Sequence, residues 1–255
     1  MNMFAAHSQG RRSRSAWAAI ASLALAGGVL TACAPASTAG AGSGPAAVEA
    51  VPAMAPMPGM AQQGNAGNGS NNGSVTASQL AFAQQMRLLW GQHMEWTRLA
   101  VVDFASGSAG FPTTAARLLK NQEDIGNAIM PFYGEAAGAQ LTTLLKAHIT
   151  DFVALFQAAK AGDATALAAA EATVYANAQQ IADFLAAANP KYWPQADMRA
   201  MMKDHITLTI TYGSDELTGQ YAAGITVFDT AEAHMMAMAD QLSTGIIGAF
   251  PKMFR

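Results

Sequence analysis

The sequence has one cysteine, Cys33, among its 255 residues. A lone cysteine excludes an intramolecular disulfide and a clustered thiolate metal site. Basic residues are also scarce, with 14 Lys and Arg against 17 Asp and Glu, which gives a net charge of −3. Because neutralising phosphates requires a basic face, this balance argues against a nucleic-acid partner.

Catalytic motifs are lacking as well. The chain contains no G-x-S-x-G, P-loop, G-x-G-x-x-G or H-E-x-x-H motif. The Glu-x-x-His pairs of ferritin-like di-iron bundles are also missing. We therefore expect a protein that is not an enzyme.

The N-terminus has the pattern of a targeting segment. Three arginines, the last of them Arg14, precede an apolar run over 17–30 that is too short for a stable membrane span. The run ends in Leu30-Thr31-Ala32-Cys33, which resembles the lipobox of bacterial lipoproteins. The resemblance implies a signal peptide over 1–32, cleavage before Cys33, and lipid (palmitate among its acyl chains) on that cysteine. The alternative is a secretory signal that a cysteine follows by chance.

Removal of 1–32 takes away three arginines and no acidic residue, so the net charge moves from −3 to −6. The anchor is therefore expected to be the lipid, with no polybasic surface. Ala34 is not the aspartate associated with inner-membrane retention in many Gram-negative lipoproteins. For a Gram-negative source we expect a periplasm-facing position on the outer membrane. The protein partner stays open.

Residues 33–77 are rich in Ala, Pro, Gly, Ser and Asn, which predicts a flexible tether behind the lipidated cysteine. Three methionines in this segment, Met54, Met57 and Met60, resemble the methionine motifs of periplasmic copper-handling proteins. Thioether sulfur suits Cu(I), so we take them as candidate soft ligands. Compositional drift in a biased segment is the alternative.

Residues 78–255 are alanine-rich and have helical periodicity nearly throughout. Breaks rich in Gly and Pro divide them into six predicted helices, near 78–105, 112–130, 135–160, 163–188, 195–217 and 220–247. The predicted fold is all-α, a six-helix bundle domain built from three tandem antiparallel hairpins.

A repeat of about 56 residues supports the hairpins. The first helix of each has a histidine in the same apolar frame, at His93, His148 and His205. The second helices align Asn121, Asn177 and His234 in the same way. The midpoint of each pair falls in a predicted turn, so each histidine is expected to face its partner across the hairpin. If the bundle closes, the six form one buried polar layer; whether the hairpins close into a ring or stack in a row stays open.

Two interpretations of this layer stay open. It is either a hydrogen-bonded network that fixes helix register, or a metal site. In the second case the four histidines would bind copper or zinc, with Asn121 and Asn177 supporting the ligands. Methionines near His205 and His234 favour copper, but they also fit an ordinary core.

Several segments resemble a group of bacterial all-helical lipoproteins or secreted proteins. They are LLWGQHMEWTR, LLKNQEDIGNAI followed by PFYG, LLKAHI, NAQQIADFLAAANP and GIIGAFPKMF. The resemblance covers nearly all of 78–255 and implies the all-α class and the domain boundaries. It implies no activity and no site residues. We expect a lipid-anchored cell-envelope binding or scaffolding protein with a metal site in the layer, or else a purely structural or partner-binding module.

Overall fold

A computed structural model describes residues 75–255, and Cys33, Met54, Met57 and Met60 lie outside this range. The described chain is all-helical with no strand, as predicted. Its elements are α1 (Ala77–Ser106), α2 (Phe111–Tyr133), α3 (Glu135–Ala161), α4 (Ala164–Ala188), α5 (Gln195–Leu217), α6 (Tyr221–Ala249) and a 3-10 turn (Pro251–Met253). None of these helices is long and apolar enough to cross a membrane.

The predicted helix boundaries hold to within a few residues, and the largest difference is at the end of α2. This helix continues through Pro131 to Tyr133 instead of ending at residue 130. Proline removes one backbone donor, but in the last turn the loss is small. The Met130 carbonyl still accepts from the Gly134 N–H at 2.9 Å, and α3 begins at the next residue.

Consecutive helices form three antiparallel hairpins, α1–α2, α3–α4 and α5–α6. Each hairpin turn contains a glycine with φ between 69° and 73°: Gly107, Gly162 and Gly219. Left-handed backbone of this kind is accessible to glycine at little steric cost, which explains the common residue at the three turns.

The hairpins close into a ring, because α6 packs against α1 while α5 also touches α1 and α3. Arg87 of α1 forms a two-point ion pair with Asp240 of α6 at the closing interface. Thr76 caps α1 by accepting from the Gln79 N–H, and its hydroxyl donates to the Phe254 carbonyl at 2.9 Å. The start and end of the described chain are thereby joined.

Glycines allow the first and second hairpins to approach closely. A Cβ placed on Gly126 of α2 would lie 2.7 Å from the Gly138 carbonyl oxygen of α3, and one on Gly138 would meet the Gly126 carbonyl at the same distance. Both contacts are shorter than real Cβ atoms tolerate. The two backbones therefore pack against each other directly, which fixes the height of α3 relative to α2.

The core differs between the two ends of the bundle. At the end away from the hairpin turns, Trp193 from the α4–α5 connection is 1% exposed and donates to the Gln241 carbonyl at 3.3 Å. Asn189 donates to the Gly245 carbonyl at 3.0 Å and holds the same connection. Large side chains leave only a small cavity of about 20 Å³ at this end. Toward the hairpin turns, the core contains a cavity above the histidines.

Candidate ligand site at the histidine layer

The predicted polar layer is present, and its shared feature is a bond from the second helix of each hairpin to a backbone carbonyl of the first. Each accepting carbonyl lies four residues before the histidine. The three bonds are Asn121 Nδ2 to Leu89 O at 3.0 Å, Asn177 Nδ2 to Leu144 O at 3.1 Å, and His234 Nε2 to Met201 O at 3.0 Å. A helical carbonyl has a second lone pair free for such a bond. The repeat therefore fixes helix register through the backbone.

In the second hairpin the predicted pair forms directly. His148 Nδ1 lies 3.2 Å from Asn177 Oδ1, and both residues are buried. Because an amide oxygen only accepts, His148 must carry its proton on Nδ1. The lone pair of the neutral ring is then on Nε2. Asn177 uses one side of its amide on a backbone carbonyl and the other on the ring.

In the first hairpin no direct hydrogen bond joins His93 and Asn121, because Gln122 lies between them. Its Nε2 lies 3.2 Å from His93 Nδ1, 3.2 Å from Asn121 Oδ1 and 2.9 Å from the Leu118 carbonyl. The amide nitrogen has two N–H groups, which these three acceptors share, and it cannot accept. His93 Nδ1 therefore faces it with its lone pair, and the ring proton is on Nε2. Asn121 acts on the ring indirectly, because its Oδ1 accepts from Gln122 Nε2 and so orients the Gln122 side chain.

In the third hairpin His205 and His234 lie near each other, and His234 contributes to the lowered pKa of His205. His234 reaches the Met201 carbonyl but does not bond to His205, and it is only half-buried. His205 is 3% exposed, and its Nδ1 is sealed from solvent without a partner. Leaving a buried polar atom unpaired costs about 1–3 kcal/mol. A group kept at such a cost is a candidate for function.

The side chains of the three first-helix histidines cluster inside the closed bundle. The ring centroid of His205 lies 5.9 Å from that of His93 and 5.6 Å from that of His148. The planes of the His148 and His205 rings are stacked at an angle of 29°. Burial lowers the pKa of His93 to about 3 and that of His148 to about 4. Burial, followed by the neighbouring histidines, lowers the pKa of His205 well below its ordinary value. All three rings are neutral near pH 7.

These rings form the floor of a cavity of about 50 Å³. Phenylalanines from α1, α2 and α3 line it, namely Phe104, Phe111, Phe152 and Phe156. Thr97 and Thr209, each four residues after a histidine, also line it, and the Thr97 hydroxyl is buried without a partner. No Asp, Glu, Lys or Arg is among the lining residues. The arrangement suits a small neutral ligand with an apolar surface and a polar end.

The geometry bears on the metal interpretation. Within 75–255 no group of three or more His, Cys, Asp or Glu side chains is arranged to hold a metal ion. His234 is directed at a backbone carbonyl and does not join the three clustered rings. Four methionines near His205 and His234 are buried in the hydrophobic core, which is the ordinary use of this residue: Met198, Met202, Met235 and Met238.

Gln122 is the functional residue that sequence reasoning missed. Its counterparts in the other two repeats, Ala178 and Met235, are both buried and incapable of hydrogen bonding through an amide. A glutamine in a column otherwise occupied by buried apolar residues was the available signal. It is 0% exposed, and it reverses the proton position of His93 relative to His148.

Comparison with protein-family models, curated proteins and solved structures gives no match to this chain.

Proposed function

We propose that this chain is a lipid-anchored binding protein of the bacterial cell envelope, and that the cavity above His93, His148 and His205 is its binding site. The observation that carries the proposal is the clustering of three buried imidazole rings at the floor of that cavity. A layer that served register alone is already complete in its three bonds to backbone carbonyls. Clustering three neutral rings beside a void adds cost without adding register, which supports a role in binding.

Copper or zinc is the second candidate occupant, and one contact favours it. Asn177 accepts from His148 Nδ1, which leaves Nε2 free, and metal-binding histidines commonly donate their other nitrogen to such a group. The opposite proton position of His93 weighs against a site that uses all three rings. A small neutral ligand is therefore the first candidate.

The test is a titration of the purified full chain, followed by NMR of the histidine rings. Ligands are Cu(I), Cu(II), Zn²⁺ and a set of small neutral organic molecules. A matched pair of variants locates the binding: Ala115→Met fills the cavity, because Ala115 lines it, whereas Ala116→Met adds the same side chain at an exposed position. We expect saturable binding in the wild type and in Ala116→Met, and loss of binding in Ala115→Met. A chain that binds none of these ligands would leave the purely structural alternative.

Lipid anchoring rests on the lipobox resemblance and has its own test. Mass spectrometry of the N-terminal peptide from membrane-purified protein is expected to show a chain that starts at acylated Cys33. Cys33→Ser is expected to release the chain from the membrane fraction. An unmodified N-terminus upstream or downstream of residue 33 would contradict the anchor and leave the binding site unaffected.

A further inference from the structure

The two hydrogen-bonded rings at the cavity floor are held as opposite tautomers. His93 accepts at Nδ1 from Gln122 and so presents an N–H at Nε2. His148 donates from Nδ1 to Asn177 and so presents a lone pair at Nε2. Neither Nε2 takes part in a hydrogen bond within residues 75–255. Since both rings line the cavity, its floor offers one donor and one acceptor.

Backbone carbonyls fix both tautomers. Leu144 O accepts from Asn177 Nδ2, and this bond orients the amide so that its oxygen faces His148. Leu89 O takes the Asn121 amide N–H, so Asn121 Oδ1 accepts from Gln122 Nε2. Turning the Gln122 amide over would direct its oxygen at two acceptors, Asn121 Oδ1 and the Leu118 carbonyl. The donor and acceptor roles are therefore built into the helix register.

The N–H of His93 and the lone pair of His148 together determine which class of ligand fits the cavity. A metal ion requires a lone pair from each ring, but His93 presents an N–H. A charged ligand is disfavoured because no charged side chain lines the cavity. A hydroxyl group donates one hydrogen bond and accepts others, so it matches a donor and an acceptor on the same floor. The phenylalanine walls suit the apolar remainder of such a molecule.

We propose that the cavity recognises a small neutral alcohol, whose hydroxyl donates to His148 Nε2 and accepts from His93 Nε2. This inference rests on the proposed function and names the ligand class of the same site. The volume of about 50 Å³ corresponds to roughly three to five water-sized positions. The ligand, or the hydroxyl end of a longer one, therefore has only a few non-hydrogen atoms at this depth.

The experiment compares two isomers on the purified full chain, 1-butanol and methyl propyl ether. They have the same atoms, but the ether cannot donate a hydrogen bond. We expect 1-butanol to shift the ring resonances of His93 and His148 saturably, with a Kd on the order of 1 mM for a ligand of this size. The ether is expected to bind roughly fivefold to tenfold more weakly, because the lone pair of His148 stays unpaired.

Ring ¹⁵N shifts of the free protein test the tautomers independently of any ligand. His93 is expected as the Nε2–H form and His148 as the Nδ1–H form. Gln122→Met removes the donor to His93, so this ring no longer holds its proton on Nε2. Both isomers are then expected to bind more weakly, because each accepts from that N–H. Gln180→Met, at an exposed position of α4, is expected to retain the preference.

The outcomes separate this inference from the proposed function. Equal affinity for both isomers, or identical tautomers in the two rings, overturns recognition of a hydroxyl while the cavity stays a binding site. Stoichiometric binding of copper or zinc through the rings likewise overturns the alcohol and leaves the site. Absence of binding by either isomer and by the metals overturns both. Saturable, alcohol-selective shifts that Gln122→Met weakens and Gln180→Met leaves unchanged support the inference.

Discussion

The second and third hairpins place a histidine at the same position and treat it differently. His148 bonds to Asn177, whereas His205 faces no side-chain partner, because His234 is directed at the Met201 carbonyl. The backbone bond survives the change from Asn to His, so register is kept while the bond to the ring is lost. The comparison separates two roles of the layer: bonds to backbone carbonyls align the helices, whereas bonds between side chains fix the proton position of the rings.

The largest expected effect is the pH dependence of the unfolding free energy, to which His148 and His205 both contribute. In the unfolded chain each histidine titrates near 6.5, whereas in the folded chain the pKa is about 3 for His93, about 4 for His148 and well below 6.5 for His205. The unfolded state therefore binds more protons below pH 6.5, so stability is full above that pH and is lost as the pH falls toward 4. The slope is roughly 1.4 kcal/mol per pH unit for each ring, approaching roughly 4 kcal/mol per unit near pH 5.

Urea unfolding between pH 7.5 and pH 4.5 measures this dependence. His205→Leu is expected to reduce the slope near pH 5 by about a third, since one of the three rings is removed. A free energy of unfolding that stays level between pH 7 and pH 5 would contradict the burial of three neutral rings.

The next largest effect is expected from removal of Asn177, which bonds both to the Leu144 carbonyl and to the His148 ring. Asn177→Leu removes two hydrogen bonds and strands the Nδ1–H of His148. We expect a loss of about 2–4 kcal/mol of unfolding free energy. Gln180→Leu, exposed on the same helix, is the control and is expected to change little. Equal midpoints for the two variants in urea would show that the bridge does not stabilise the fold.

The smallest effect is a gain. His234→Asn restores the residue of the other two repeats, which can bond to the Met201 carbonyl and offer its oxygen to His205. We expect stabilisation of about 0.5–1.5 kcal/mol and a His205 ring fixed as the Nδ1–H form. Thermal unfolding and ring ¹⁵N shifts measure the two effects. A His205 ring whose shifts do not change would mean that the third hairpin lacks the geometry for the pair.

The repeat explains how much of this could be predicted. Helical periodicity and the turn residues predicted the six helices. The repeat spacing of 55–57 residues, with the midpoint of each pair in a turn, predicted that the aligned residues share one height. Equal height brings Cα atoms together but does not choose among hydrogen-bond acceptors. Asn177 reaches a carbonyl and a ring at once, whereas His234 donates from the far end of its ring to the carbonyl alone.

The sequence pattern could not predict the cavity. Its volume depends on how the phenylalanine side chains from three helices pack beside the small residues between them, and a one-dimensional pattern contains no such distance. Ring closure is similar, because the hydrophobic stripes fit stacked hairpins equally well. The contacts of α6 with α1 decide it in the folded chain.

One comparison of unfolding free energies tests the central claim that the ring of His148 is bonded into the structural layer, whereas the ring of His205 is not. His148→Leu strands Asn177 Oδ1 and is expected to cost about 1–3 kcal/mol. His205→Leu removes a buried atom that has no partner and replaces the ring with an apolar side chain of similar size. It is therefore expected to leave stability unchanged or raise it by about 1–2 kcal/mol. A loss on His205→Leu as large as on His148→Leu would contradict the account and make His205 part of the structural layer.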